Sequence, residues 1–273
     1  MIVHLFMGFI VSSAGQMYYA PPLPNPVCAG VSPVLTGICT LPPVAVVQLT
    51  TIGNFSAFAI TFASVAIGAG TFSSESANYL REASAGLNTV PYFIAKSIAN
   101  IPRLVSAAFF FWVAFSTQYN NTGDYGYWYG TVLIMYWFGY SLGYVASQLV
   151  PERYIAITGV LVALIFCLVL GGLNPNLKTV SEKPPGQQGL WYLSGPRWTT
   201  EAFVINTIRY YQYVPDNTPF AGAPYANVDN YLNNYSYSFN DFALCMWATL
   251  LDGFFWGFIA LILMAVFNLE KKK

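Results

Sequence analysis

The sequence predicts an all-α integral membrane protein with six transmembrane helices, on three observations. The seventy residues from Leu5 to Ser74 contain no Asp, Glu, Lys or Arg. Charged side chains make up 8% of the chain and hydrophobic ones 56%, whereas an ordinary soluble domain is about 25% charged. So small a polar supply cannot coat a globule of 273 residues in water, and the exterior must face lipid. Finally, apolar stretches of roughly 20 residues, enough to cross a hydrocarbon core of about 30 Å, recur six times.

The first stretch covers residues 2–19. It begins at Met1 without a basic flank, which fits a membrane helix whose upstream cytoplasmic part lies outside this sequence; a cleaved signal is the alternative. Residues 20–43 hold seven prolines and two glycines, and proline both removes a donor and blocks helix continuation, so this segment is a loop. The second span follows at 44–72. Charges then arrive at Glu75, Arg81, Glu82, Lys96 and Arg103, before spans at 101–119, 126–150 and 154–173. A tight turn, Pro151-Glu152-Arg153, joins the last two. A polar stretch, 174–241, precedes the sixth span at 242–269.

Six spans put both termini on one side. Arg81, Lys96, Arg103, Arg153 and Lys271 to Lys273 fall on that side, while Lys178, Lys183, Arg197 and Arg209 occupy one long opposite loop. Basic residues in short loops mark the cytoplasmic face, so the termini are expected to be cytoplasmic, in a plasma or internal membrane. The sequons at Asn120 and Asn234 then face outward, where glycosylation occurs, and a third at Asn54 lies inside a span. Cys28 and Cys39 share an outer loop, where a disulfide is chemically available.

Several chemistries are excluded. His4 is the sole histidine, so no Ser-His-Asp or Cys-His arrangement forms. No lysine follows a glycine, so there is no phosphate-binding G-x-x-x-x-G-K-[ST] loop. The four cysteines lack metal-ligand spacing. Net charge is zero, without the clustered Lys and Arg that nucleic acid demands. The expectation is a chain with no catalytic, cofactor or metal site of its own. Asp252, the one acid inside an expected span, reads as lying near the outer interface. Gly139-x-x-x-Gly143 and Gly253-x-x-x-Gly257 permit close helix approach.

After the second span the chain reads Glu75, then Arg81-Glu82, Gly86, Tyr92-Phe-Ile-Ala95-Lys96 and Pro102. In the long loop it reads Trp191-Tyr-Leu-Ser194-Gly-Pro-Arg197-Trp198-Thr-Thr-Glu201-Ala202-Phe-Val. Both runs resemble the G (White) subfamily of ABC transporters, its plant-type long members most closely, and the resemblance spans nearly the whole chain. It implies the ABC-2 type exporter fold, with a cytoplasmic coupling helix and an extracellular re-entrant helix region. The implied partners are an ATP-binding cassette domain, upstream or on a separate chain, a second transporter half (identical or different), and membrane lipid. ATP and Mg would bind on that missing domain.

The resemblance also assigns roles. The segment from Glu75 to Gly86, with Leu80 and Leu87 available for contact, would be the coupling helix, and Glu75, Arg81, Glu82 and Arg153 a polar relay. Ser56, Ile60 and Ala63 on the second span, with Val162 and Ile165 on the fifth, would line the substrate path. Ala63 stands where multidrug members carry an aromatic clamp, which argues against flat aromatic cargo, although Phe62 is adjacent. Leu173 would be the outer plug. Ser194, capping a helix from Pro196 to about Tyr211, would open the outer signature with Arg197, Trp198 and Glu201, placing Arg197 and Glu201 on one face. Lipids, sterols or other apolar molecules are the implied cargo. An ATP-independent channel or carrier, and a non-transporting subunit that dimerises with intact halves, are the alternatives.

Overall fold

The structure, a computed structural model, describes residues 2–16, 44–73, 75–118, 123–150, 152–172, 175, 177–209, 232–233 and 235–271. Among these residues every regular element is helical. The helices are α1 (Ile2–Gln16), α2 (Val44–Ser73), α3 (Ser76–Ser84), α4 (Thr89–Ala99), α5 (Ile101–Gln118), α6 (Tyr125–Leu149), α7 (Ile155–Leu164), α8 (Leu177–Ser181), α9 (Pro185–Tyr192), α10 (Gly195–Ile208) and α11 (Phe242–Lys271).

Three helical stretches among the described residues are long and apolar enough to cross a membrane: Leu49–Ser73, Thr89–Thr117 and Phe239–Val266. The middle one corrects an expectation, because it starts at Thr89 rather than near Pro102. Asn88 caps α4, its side chain accepting from the Val90 amide, as Asn does at helix starts. Pro102, which has no amide hydrogen to give one turn back, breaks the stretch at Asn100 without ending it: the Leu104 amide still donates to the Asn100 carbonyl at 3.0 Å. Lys96 therefore sits within the apolar stretch and not in a loop before it.

Helix α6 occupies the centre, packed against α2, α5, α10 and α11. Its six tyrosines make it less apolar than a typical span, yet Trp128, Tyr136, Tyr140 and Tyr144 are fully buried. It meets protein where an ordinary span meets lipid. Small residues let α2 approach it closely. A Cβ on Gly68 would stand 2.6 Å from the Tyr140 carbonyl oxygen, one on Gly143 equally close to the Val65 oxygen, and one on Gly139 would overlap Ser64. The Gly139/Gly143 pair is thus a true crossing point, whereas Gly257 makes only ordinary contact. The buried hydroxyls of Ser56, Thr61 and Ser64 donate to carbonyls one turn back, at 2.8, 2.7 and 2.6 Å, so these three are not left unpaired in an apolar interior.

Helix α7 continues into a π-helical turn, Ile165–Val169. The apolar run Ile157–Val169 is shorter than the expected span. It lies along α2, with the Cys167 thiol donating to Thr61 Oγ1 at 3.6 Å.

Candidate functional site

Helix α3 joins the ends of α2 and α4. Its nine residues are amphipathic: Tyr79 and Ala83, one turn apart, are buried, while Asn78, Arg81, Glu82 and Ser84 are exposed. Tyr79 holds it down. Its hydroxyl shares a 2.9 Å hydrogen bond with Thr89 Oγ1 and its ring lies 4.7 Å from that of Tyr92. Phe72, at the end of α2, stacks on Phe93 at 5.1 Å and meets Tyr144 of α6 edge-on at 5.0 Å. Five rings from four helices thus form one packed cluster beneath α3, an arrangement that aromatic quadrupoles favour. Gly86 ends the segment at φ +107°, a left-handed conformation that glycine adopts freely.

Glu75, at the N-cap of α3, is paired with Lys96 of α4. Lys96 was not among the partners expected for Glu75; the two lie 21 residues apart, and only the packing of α4 beside α3 brings them together. Arg81 and Glu82 are exposed, and Arg153 is exposed with its guanidinium 4.7 Å above the Tyr154 ring.

Ser56, Ile60 and Ala63, expected along a path, are instead turned into the bundle, at 0%, 0% and 3% exposure. The α2–α6 crossing itself is made by Thr61, Ser64, Val65 and Gly68. The outward stripe of α2 is displaced by one position: Phe55 is exposed, and Thr51, Phe58, Phe62 and Ala66 are partly so. Phe62 rather than Ala63 looks out. Beside this stripe, α7 and its π turn expose Ile157, Leu161, Ile165, Leu168 and Val169, with Val162 half-buried.

At the other end, α10 is buried along its entire length between α2, α6 and α11. Ser194 precedes it but does not cap it; the hydroxyl donates to the Phe166 carbonyl at 3.1 Å, tying α10 to the π turn. Arg197 and Glu201 face each other one turn apart at 3.9 Å. The guanidinium lies 3.7 Å over Trp198 and 4.6 Å over Tyr192, and the Trp198 indole donates to the Tyr192 carbonyl at 2.9 Å. Arg197 Nε and Nη1 have no hydrogen-bond partner among the described residues. Burial pushes the Glu201 carboxyl up to about 7, against the opposing pull of Arg197. Asp252 was expected at an interface. It is 8% exposed, in the interior of α11, and within electrostatic reach of Arg197. The long loop therefore contributes a buried helix whose Arg197 faces Glu201, with Asp252 within electrostatic reach, an arrangement that its polar composition concealed.

Leu173, the sequons at Asn120 and Asn234, Cys28 and Cys39, and Tyr211 lie outside the described residues. Asn54 of the third sequon is 1% exposed.

The ABC-2 type transporter family model matches residues 33–272, which takes in α2 to α11. A comparison with curated proteins finds no match. The family supplies the membrane-embedded, non-catalytic part of a transporter, which fits a chain with three membrane-length apolar stretches and no phosphate-binding loop. With most of its length matched, this chain belongs to the ABC-2 type transporter family.

Proposed function

We propose that the chain is the membrane domain of an ATP-driven exporter of the G-subfamily type, crossing the membrane six times and moving lipids, sterols or other apolar molecules outward. The observation that carries this reading, beyond family membership, is the build of α3: a short helix fastened to α2, α4 and α6 by one aromatic cluster, with its charged side left exposed. A segment so attached moves as a body, and a push on Arg81 and Glu82 reaches three long helices at once. An ATP-binding cassette domain supplies that push and binds the ATP and Mg. Two halves meet at the outward faces of α2 and α7, with Phe55, Phe58 and Phe62 opposite Leu161, Ile165 and Leu168 along the path. Phe62 restores the option of aromatic cargo. Helix α10 forms the re-entrant roof, and Leu173 the plug.

Purification of the tagged chain from its native membrane tests the reading. An ATPase-bearing chain should co-purify, and the complex in liposomes should export an apolar probe only with ATP and Mg. Recovery without such a partner, together with ATP-independent solute flux through the chain alone, would overturn it.

A further inference from the structure

Four places in the chain put an Arg or Lys three residues before a Ser or Thr: Arg81–Ser84, Arg103–Ser106, Lys178–Ser181 and Arg197–Thr200. Protein-serine kinases with an acidic substrate groove read this charge spacing. The fold separates the four. Thr200 is fully buried in α10. Ser106 is exposed, but inside the membrane-length stretch Thr89–Thr117, where no kinase reaches it. Ser181 is exposed in α8, in the long loop on the side away from the short basic loops, and so away from cytoplasmic ATP. Ser84 closes the connecting helix α3, and both it and Arg81 are exposed.

The local structure suits a phosphate acceptor. A kinase takes the residues around the hydroxyl in extended form, so the acceptor's own turn has to open. Helix α3 has nine residues, fewer than the roughly 12–15 at which a helix holds itself together in water. What fastens it to the bundle is Tyr79 and Ala83, both upstream of Ser84. Beyond Ser84, residues 85–88 are all exposed, and Gly86 already leaves the helix at φ +107°. The last turn can therefore open while Tyr79 stays in place. The Ser84 hydroxyl donates to the Arg81 carbonyl at 2.6 Å, an exposed bond that water replaces at little cost.

We propose that Ser84 is a phosphorylation site for a basophilic protein-serine kinase, and that its phosphate weakens engagement of the ATP-binding cassette domain. Ser84 Oγ attacks the γ-phosphorus of Mg-bound ATP and the bond from that phosphorus to the β–γ bridging oxygen breaks. ADP leaves, and the hydroxyl proton passes to the kinase's base. Before modification α3 carries one cation, Arg81, and one anion, Glu82. The phosphate adds about −1.5 to −2 charges near Glu82, at the negative end of the helix dipole, and removes the hydrogen given to the Arg81 carbonyl. The exposed side turns from neutral to acidic and its last turn loosens. Kinase and cassette domain compete for one face, so the chain that is modified is the one not yet engaged. The effect on engagement rests on the reading of α3 given above; the modification itself needs only that α3 faces the cytoplasm.

Two measurements test this. The full chain in lipid nanodiscs is incubated with the catalytic subunit of a cyclic-AMP-dependent kinase, Mg and radiolabelled ATP, and the label is mapped by peptide. Label should appear at Ser84, vanish in Ser84→Ala, and form roughly ten-fold more slowly in Arg81→Ala, the worth of one charged contact. The tagged chain is then purified from native membranes. Part of the wild-type chain should carry phosphate at Ser84, and Ser84→Asp should bring down roughly five-fold less ATPase-bearing chain than Ser84→Ala. Both substitutions lie on the exposed side of α3, so the fold is retained. No label at Ser84 in nanodiscs, labelling indifferent to Arg81→Ala, or no phosphate at Ser84 in native membranes would overturn the site. Equal recovery of the ATPase-bearing chain by both variants would overturn its effect on engagement. Recovery of no such chain even by the wild type would sink the reading of α3 instead, while the labelling result still decides the site.

Discussion

The two charged ends of this bundle use the same residue types in opposite surroundings. At α3, Glu75 and Lys96 pair at the surface, with side chains 50% and 22% exposed, and Arg81 and Glu82 are exposed. At α10, Arg197 and Glu201 are 10% and 3% exposed, under aromatic rings and within reach of Asp252. Water decides what each pair does. An exposed pair gains little because solvent already satisfies both charges. In a buried pair each partner is the other's main compensation, so losing one strands the other. The first arrangement suits a surface that engages and releases a partner; the second holds an element in place.

Substitutions separate these roles. The largest effect is expected from Arg197→Met, which leaves the Glu201 and Asp252 carboxyls buried without their cation. Such a loss costs about 3–5 kcal/mol and should appear as a large fall in the unfolding temperature of the purified protein in detergent. Replacing Glu201 by Met as well should recover part of that loss, because the stranded charge goes with it. An equal or larger loss in the double variant would contradict the ion-pair reading of α10.

Next comes Tyr79→Ala, which removes the ring pinning α3 to the bundle. The local cost is on the order of 3 kcal/mol, seen as faster hydrogen exchange across residues 76–86 with little change in α6. Tyr79→Phe, which loses only the hydrogen bond to Thr89, should cost about 1 kcal/mol. The smallest effect is expected from Lys96→Ala, at about 0–1 kcal/mol and shrinking further as salt rises. A loss rivalling that of Arg197→Met would erase the contrast between the two ends.

The sequence made the long helices legible and the burial illegible. Long apolar runs bounded by prolines and polar residues located α2, α6 and α11 within a residue or two, because the signal that defines them is local. Pro102 misled, since a proline both opens helices and kinks them; Asn88, a good cap ahead of an apolar run, was the better signal for where that stretch starts. Helix α10 was expected within a loop because Arg197, Thr199, Thr200, Glu201 and Asn206 are polar, and nothing local says that their helix packs between α2, α6 and α11. The one-position offset between Ala63 and Phe62 has a similar cause. Almost every residue of α2 is apolar or small, so the face that meets α6 is decided by Gly68, Gly139 and Gly143 together, which lie on two helices.

The central claim is that the exposed side of α3 is where an ATP-binding cassette domain engages this membrane domain. A photo-crosslinking residue placed at Ser84, activated in native membranes, tests it most directly, with the same residue at Leu190 of α9 as control. An adduct joining this chain to an ATPase-bearing chain is expected from position 84 and none from position 190. Equal adducts from both positions, or an ATPase adduct from position 190 alone, would contradict it.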